Sequence, residues 1–203
     1  MALGPNLKPY AMSLCLPPRL ALVGLRGAGK TVVGRLVAEA AGVPFIDLDE
    51  RIAEAAGAQH AGEVIERNGL AAFRALEEEH LAKTLAEPRR LVVSTGGGAI
   101  ESPNSRRLLR TQAVTLWLRA PLEVLIQRVT ADEARGDSAP LRPSILAAEG
   151  ATQSAKSGSP DEEFRVLSER RAPLYREVAR RAIDVDRLSP AEIAERARRI
   201  WRG

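Results

Sequence analysis

Short apolar runs alternate along the chain with longer segments in which apolar residues recur every three or four positions, and this alternation predicts strands and helices in turn. The apolar runs predict five strands, at residues 20–23, 43–49, 91–94, 113–120 and 182–186. The periodic segments predict helices at residues 31–41, 50–57, 61–68, 70–86, 121–129, 161–180 and 190–201, with a break near Pro173. Ser102-Pro103 predicts one further helix start, and Ser189-Pro190 predicts the start of the last helix, because each pair supplies an N-cap followed by proline in the first turn.

Strands that alternate with helices predict an α/β fold, in which helices cover both faces of a five-stranded parallel sheet. Ligands of such sheets bind beyond the carboxyl ends of the strands, so the site is expected in the loops that follow them, at residues 24–30, 47–49, 95–98, 120–121 and 187–190. Residues 19–203 are predicted to form a single domain, and residues 1–18 a disordered leader. Residues 130–160 are rich in Ala, Gly, Ser and Pro, which predicts a mobile loop with some helix.

The turn after the first strand, from Gly24 to Thr31, matches the pattern G-x-x-x-x-G-K-[ST] between a strand and a helix. Its glycines let backbone N–H groups point into one concavity, and the helix directs its positive end to the same place. Lys30 can reach the β- and γ-phosphates of a nucleotide, and the Thr31 hydroxyl can bind Mg²⁺. These features predict an ATP site formed by Gly27, Ala28, Gly29, Lys30, Thr31 and Val32.

Two carboxylates, Asp47 and Asp49, follow the second predicted strand. Alternation along an extended chain would place both on one side, next to the phosphate loop. One could then hold a Mg²⁺-bound water while the other accepts a proton from a substrate hydroxyl. The alternative is that both simply begin the next helix, where acidic residues favour the positive end.

Further candidates lie in the middle and C-terminal parts of the chain. Arg74 and Glu77 are three residues apart on a predicted helix and share a face, as a surface ion pair would also do. Three glycines at 96–98 after a buried strand indicate a ligand close to the backbone, or a plain tight loop. Arg142, on the predicted mobile segment, could close over a transferring phosphate, and Arg171 could bind a substrate carboxylate through its planar guanidinium.

Composition narrows the function classes. The 203 residues are 45% hydrophobic, which suits one domain with a sizeable core. The net charge of +4 suits an anionic substrate, but an aromatic content of 3% argues against nucleic acid as a partner. A single cysteine, Cys15, excludes an internal disulfide and fits the cytoplasm. No apolar run approaches the roughly 18 residues of a membrane span, so no membrane partner is expected. The guanine-reading sequence Asn-Lys-x-Asp does not occur, which disfavours a GTPase, and the chain is too small for most P-loop motors. A small nucleotide-dependent kinase is left.

Taken in order, the phosphate loop, "DLD", "FRALE", "STGGGAI", "LRP" and "RAPLY" resemble the shikimate kinase family. The likeness runs from about residue 20 to the C-terminus. It implies a P-loop NTPase fold like that of nucleoside monophosphate kinases, with a mobile lid at about residues 130–160. It also implies transfer of the ATP γ-phosphate to the 3-hydroxyl of shikimate in aromatic amino acid biosynthesis, with Mg²⁺ as cofactor. We expect the protein to act as a monomer.

The resemblance implies roles for the catalytic and metal-binding residues. Asp49 would bind the shikimate hydroxyls and act as the base. Lys30 and Arg142 would stabilise the transferring phosphoryl group. Thr31 and Asp47 would bind Mg²⁺.

It likewise implies roles for the ligand-binding residues. Arg74 and Arg171 would bind the shikimate carboxylate, and Glu77 would orient Arg74. The substrate would also contact the glycine run, Gly96, Gly97 and Gly98. The adenine pocket would include Arg135, Arg187 and Pro190.

The chain departs from the family pattern in the predicted lid. Arg142-Pro143-Ser144-Ile145 stands where the family has Arg-Pro-Leu-Leu, and the segment between Arg142 and Arg171 is longer than usual. Two other functions fit the same motifs: a kinase for another polyol acid such as gluconate, and a non-catalytic domain that senses a ligand. Retention of Lys30, Asp49 and Arg142 favours catalysis over sensing.

Overall fold

A computed structural model describes residues 17–135 and 160–202 of the chain. Within these residues, five parallel strands form one sheet in the order β2-β3-β1-β4-β5. In the central strand β1, Ala21 pairs with Val93 of β3 on one side and with Thr115 of β4 on the other. The predicted parallel sheet is therefore confirmed, with bounds β1 Arg19–Val23, β2 Phe45–Asp47, β3 Leu91–Ser94, β4 Ala113–Arg119 and β5 Arg181–Asp184.

Helices connect and cover the strands. In the strand order, the chain moves in one direction from β1 to β2 and in the other direction in every later connection. Because each crossover is right-handed, the helix after β1 lies on one face of the sheet, and the helices after β3 and β4 lie on the other. The last helix packs against the first. The helices are α1 Lys30–Ala41, α2 Leu48–Ala55, α3 Ala61–Asn68, α4 Leu70–Ala86, α5 Pro103–Gln112, α6 Leu122–Arg135, α7 Pro160–Val178 and α8 Pro190–Arg202.

The core lies along the two central strands. Leu20, Leu22, Val92 and Val93 are completely buried, because β1 and β3 have a neighbouring strand on each side and helices above and below. This rigid centre fixes the positions of the loops at the carboxyl ends of β1 and β3, where the candidate site residues lie.

Both predicted serine caps are present. Ser102 Oγ accepts a hydrogen bond from the Ser105 N–H at the start of α5, at 3.2 Å. At the start of α8, Ser189 Oγ accepts from the Glu192 N–H at 3.3 Å, and Glu192 Oε2 accepts from the Ser189 N–H at 2.8 Å. The second arrangement is a reciprocal capping box, which fixes where α8 begins.

The second strand is shorter than predicted. It ends at Asp47, and α2 begins at Leu48 with Asp47 as its N-cap, because Asp47 Oδ1 accepts a hydrogen bond from the Asp49 N–H at 3.1 Å. The prediction that strand alternation aligns Asp47 with Asp49 was therefore wrong. The alternative that this stretch begins a helix is correct for the backbone.

Two helices are longer or straighter than predicted. α6 continues to Arg135, beyond the predicted end at residue 129. α7 passes Pro173 without a break, and tertiary contacts hold it on both sides: Arg171 pairs with Glu101 before the proline, and Tyr175 stacks on Trp117 after it. Packing thus outweighs the helix-breaking tendency of proline. The remainder of the predicted lid, residues 136–159, and most of the predicted leader, residues 1–16, lie outside the described residues.

In the described parts of the chain, no helix has the length and apolar character needed to cross a membrane.

Candidate active site

The phosphate loop joins the end of β1 to the start of α1. Gly24, Gly27 and Gly29 have φ values of 145°, 79° and 80°, a region that side chains disfavour. A Cβ at Gly27 would also lie 2.8 Å from the Leu125 carbonyl oxygen, so a side chain there would collide with α6. The loop sequence is thus needed both for its backbone conformation and for its close packing.

Lys30 lies at the first position of α1 and is half-buried. Its Nζ donates a hydrogen bond to the Leu25 carbonyl oxygen at 3.0 Å, which holds the ammonium group over the loop. The first turn of α1 contains no acidic residue, so no carboxylate in this turn offsets the positive end of the helix. Loop, lysine and helix end together form a site suited to an anion such as a phosphate.

Thr31 and Asp47 meet beside this loop. Thr31 Oγ1 donates a hydrogen bond to Asp47 Oδ2 at 2.7 Å. A hydroxyl and a carboxylate are the hard oxygen ligands that Mg²⁺ prefers, so the pair fits this ion. Among the described residues, no group of three or more His, Cys, Asp and Glu side chains could hold a metal ion.

Gly96 lets two carboxylates approach the backbone after β3. A Cβ at this position would lie 2.9 Å from Asp49 Oδ1 and would collide with Glu77 Oε1. Asp49 and Glu77 therefore lie side by side at the end of this strand, although they come from α2 and α4. Because Asp49 lies on the same helical turn that Asp47 caps, both aspartates face the site despite the shorter strand.

Arg74 is held against Gly98. Its Nη1 donates to Glu77 Oε2 at 2.7 Å, and a Cβ at Gly98 would collide with its guanidinium group. Glu77 is 1% exposed and the Arg74 side chain is 21% exposed, so the pair is partly buried and is not a simple surface ion pair. The glycine leaves the space that the arginine occupies.

Arg171 enters the same region from α7. Its side chain is 4% exposed, and its Nε donates to Glu101 Oε1 at 3.0 Å. Its Nη2 has no hydrogen-bond partner within the described part of the chain, although it is buried. A buried donor of this kind calls for an anionic or acceptor ligand, since leaving it unpaired is costly.

Tyr175, one helical turn beyond Arg171, braces the glycine run. Its hydroxyl donates to the Gly97 carbonyl oxygen at 2.6 Å, and its ring stacks on Trp117 with centroids 5.6 Å apart. Burial raises the pKa of Tyr175 above its ordinary value, so the hydroxyl stays protonated and can donate. The sequence prediction missed this residue, although it lies within "RAPLY".

Glu101 is the second residue that sequence reasoning missed. It ends a short 3₁₀ turn, Ala99–Glu101, directly after the glycine run, and its carboxylate pairs with Arg74, Arg170 and Arg171. Burial opposes its ionisation, but the charges of Arg171 and Arg74, with hydrogen bonds from Arg171 and Arg170, hold the pKa of Glu101 below its usual range. Its position next to "STGGGAI" was the only available signal.

A cavity of about 450 Å³ opens beside Arg74, between α4 and the start of α5. Glu77, Gly98 and Glu101 also line it, so it adjoins the arginine cluster. The guanidinium group of Arg74 can therefore be reached from the outside.

The residues predicted to bind adenine do not form a cluster like that of the arginines. Arg187 is 93% exposed and its Nε lies 3.5 Å from Asp186 Oδ2, while Pro190 is the exposed first residue of α8. Arg128, which the sequence prediction did not include, connects this region to the phosphate loop: it donates to the carbonyl oxygens of Val185 at 2.9 Å and Gly27 at 3.4 Å.

Two predicted site residues cannot be placed beside the others. Arg135 is the last residue of α6, and only its backbone is described. Arg142 lies outside the described residues.

Comparisons with known proteins agree on one family. The model of the family described as shikimate kinase matches residues 26–201. A shikimate kinase from Stenotrophomonas maltophilia (strain K279a) is 36% identical over 177 residues, which cover 86% of this chain and 87% of the relative. Another shikimate kinase, from Corynebacterium glutamicum, is 38% identical over 178 residues, which cover 88% of this chain and 93% of the relative.

Solved structures give the same result. Shikimate kinase from Acinetobacter baumannii in complex with shikimate has a TM-score of 0.73 at 32% identity, over 89% of this chain and 90% of that one. Shikimate kinase from Aquifex aeolicus has a TM-score of 0.68 at 25% identity, over 88% of this chain and 92% of that one. A gluconokinase from Sinorhizobium meliloti, at 21% identity, shares the fold, with a TM-score of 0.51.

Proposed function

This chain belongs to the shikimate kinase family, and we propose that it transfers the γ-phosphate of ATP to the 3-hydroxyl of shikimate, a reaction of aromatic amino acid biosynthesis. The juxtaposition of a phosphate loop with two arginines carries the proposal. A Cβ at Gly97 would lie 3.5 Å from the Gly24 carbonyl oxygen and 3.6 Å from Arg171 Nη1. A small carboxylate substrate bound by Arg171 and Arg74 would therefore lie beside the bound phosphates.

On the nucleotide side, the loop from Gly24 to Lys30 is proposed to bind the phosphates through its backbone N–H groups and the start of α1. Lys30 stabilises the negative charge that shifts during transfer, and Arg142 is proposed to join it. Thr31 and Asp47 are proposed to hold Mg²⁺. When bound, the ion neutralises phosphate charge.

On the acceptor side, the guanidinium groups of Arg74 and Arg171 are proposed to bind the substrate carboxylate in the planar geometry that suits arginine. Glu77 orients Arg74 through their 2.7 Å ion pair. The glycine run allows the ligand to approach the backbone. Asp49, beside Gly96, is proposed to bind the substrate hydroxyls and to accept the proton of the attacking one.

The remaining assignments rest on the sequence and on the resemblance to the family. Arg135, Arg187 and Pro190 are proposed to contact adenine. The protein is proposed to act as a monomer in the cytoplasm, with residues 1–18 as a leader and residues 19–203 as one kinase domain. The segment at about residues 130–160 is proposed to close over the nucleotide.

The proposed reaction is tested by identifying the product. The protein is incubated with Mg²⁺ and ATP in three arms: shikimate, gluconate and no acceptor. We expect ADP release to require shikimate, and mass spectrometry to find shikimate carrying one added phosphate. Phosphorylated gluconate would instead support a kinase for an acyclic polyol acid, and ADP release without acceptor would contradict an acceptor-dependent kinase.

Arg171→Lys should raise the KM for shikimate by at least about tenfold. Lysine keeps the charge but loses the planar guanidinium, and the loss of a buried, hydrogen-bonded charge pair costs roughly 2–5 kcal/mol. The measurement is steady-state kinetics with shikimate varied at saturating ATP. Arg176→Lys, an exposed arginine on the same helix, is the matched control and should leave the KM unchanged. An unchanged KM for Arg171→Lys would show that the carboxylate binds elsewhere.

Gly98→Ala should also raise the KM for shikimate, by on the order of tenfold, because small displacements of positioning groups are costly. The new methyl group would collide with the Arg74 guanidinium, and this flexible side chain must then move away. The protein should still fold, since no backbone has to shift, but its melting temperature should fall as Glu77 loses part of its ion pair. Gly97→Ala, whose Cβ would meet only ordinary contacts, should raise the KM less. Equal effects of the two variants would contradict the steric explanation.

A further inference from the structure

We infer that Glu101 is a positioning residue that sets the affinity for the substrate carboxylate by holding Arg74 and Arg171 together. The inference rests on the proposed function, in which these two arginines bind that carboxylate. It adds a residue from outside the motifs on which the resemblance rests.

The geometry places one carboxylate between the two arginines. Glu101 Oε2 lies 3.3 Å from Arg74 Nη2, and Glu101 Oε1 lies 3.0 Å from Arg171 Nε. Oε1 also pairs with Arg170, the neighbour of Arg171. Arg74 comes from α4 and Arg171 from α7, so Glu101 is the bridge between side chains that are far apart in sequence.

Hydrogen bonds fix the backbone of Glu101 on both sides. It ends the 3₁₀ turn that follows the glycine run, and its N–H donates to the Gly98 carbonyl oxygen at 2.9 Å. The next residue, Ser102, is the N-cap of α5. The carboxylate therefore projects from a fixed backbone, and it restricts two long arginine side chains that come from different helices.

The bonding pattern favours positioning over competition with the substrate. Glu101 contacts Arg171 through Nε, and Nη2 of the same guanidinium remains buried without a hydrogen-bond partner among the described residues. A donor is therefore left for a ligand while Glu101 stays in place. If Glu101 acted as a stand-in for the substrate carboxylate, it would be expected to occupy this donor.

Charge and positioning predict opposite effects of neutralising Glu101. Arg74, Arg170 and Arg171 carry three positive charges, against two negative charges on Glu77 and Glu101. Removing one negative charge raises the local net charge, which alone would strengthen binding of an anion. Loss of the bridge frees the arginines and weakens binding. The sign of the change in affinity therefore separates the two roles.

The test compares Glu101→Gln with Glu78→Gln. Glu78 lines the same cavity, but it pairs with Ser102 and Asn104 and with neither arginine of the proposed carboxylate site. For Glu101→Gln we expect the dissociation constant and KM for shikimate to rise about tenfold, while the KM for ATP and kcat stay within threefold of wild type. Glu78→Gln should leave all these values within twofold.

A second readout separates positioning from a general structural effect. The carboxamide of shikimate lacks the charge that the arginines recognise. In the wild type, shikimate should bind much more tightly than its carboxamide, and in Glu101→Gln this ratio should fall about tenfold. Equal weakening of both ligands would show a structural role and overturn the inference. Tighter or unchanged binding of shikimate would also overturn it.

Two further controls keep the result interpretable. Should Glu101→Gln fail to fold, Glu101→Asp keeps the charge but shortens the bridge, and the same ratio should fall by a smaller factor. An unchanged ratio in folded Glu101→Asp would overturn the inference. Failure of the wild type to phosphorylate shikimate would overturn the proposed function, whereas activity of the wild type with an unchanged ratio in Glu101→Gln would overturn the inference about Glu101 alone.

Discussion

Lys30→Met should abolish most phosphoryl transfer while leaving the protein folded. Methionine has a similar length but no charge, and removing one preorganised group that stabilises transition-state charge costs about 10²–10³ in kcat. Lys30 is half-buried at the start of α1, where its Nζ donates to the Leu25 carbonyl oxygen, and methionine can occupy the same space without a buried charge. We therefore expect a cooperative melting transition close to that of wild type. The measurements are kcat with shikimate and thermal unfolding by circular dichroism.

The matched control for this variant is Lys83→Met. Lys83 is an exposed lysine on α4 that pairs with Glu79 in the adjacent helical turn, away from the phosphate loop. Its kcat should stay within twofold of wild type, because Lys83 lies away from the phosphate loop and surface ion pairs of this kind contribute little to stability. A kcat for Lys30→Met within threefold of wild type would contradict the assignment of the loop as the site of phosphoryl transfer.

The parts of the site that the sequence predicts well are those with local signals. The phosphate loop needs glycines at positions of positive φ, a lysine and a following helix, and all of these lie within eight consecutive residues, Gly24 to Thr31. The strands are predictable for a similar reason. β1 and β3 are buried on both faces, so their sequences are short runs of apolar residues. Exposed loops are not under this requirement, so such runs distinguish the strands from the loops.

The parts that the sequence did not predict depend on distant contacts. Nothing near Glu101 indicates that arginines some 27 residues before it (101 minus 74) and 70 residues after it (171 minus 101) will share its carboxylate. The same is true of Tyr175, whose partners are on β4 and in the glycine run. Such contacts become visible only once the strand order brings these segments to one edge of the sheet.

Errors at element boundaries have a local physical cause. "FIDLD" alternates apolar and acidic residues as a strand does, but Asp47 is also a good N-cap, and its hydrogen bond to the Asp49 N–H starts the helix two residues earlier than alternation suggests. The chemistry survives this error, because the first turn of α2 carries Asp49 towards Gly96. Pro173 illustrates the reverse case, in which a local helix-breaking signal yields to tertiary packing.

Two substitutions separate the roles proposed for the aspartates. Asp47→Asn keeps the N-cap of α2, since asparagine caps as well as aspartate and its one amide oxygen can accept from the Asp49 N–H. Its NH2 group then takes the position of the oxygen that faces Thr31, and the Thr31 hydroxyl can accept a hydrogen bond from it. The substitution weakens attraction for Mg²⁺ but leaves the base in place. Its activity should therefore be low at low Mg²⁺ and should recover in part as Mg²⁺ is raised. The measurement is kcat/KM over a Mg²⁺ titration at fixed ATP.

Asp49→Asn should lower kcat at every Mg²⁺ concentration. Asparagine keeps the shape beside Gly96 but loses the basic oxygen, and loss of a general base costs on the order of 10²–10⁴ in rate. The proposed transition state depends mainly on positioning and charge, so a smaller loss would indicate that the base matters little. Rescue of Asp49→Asn by Mg²⁺, without rescue of Asp47→Asn, would reverse the two assignments. A loss below tenfold in both variants would mean that the paired carboxylates serve chiefly to begin α2.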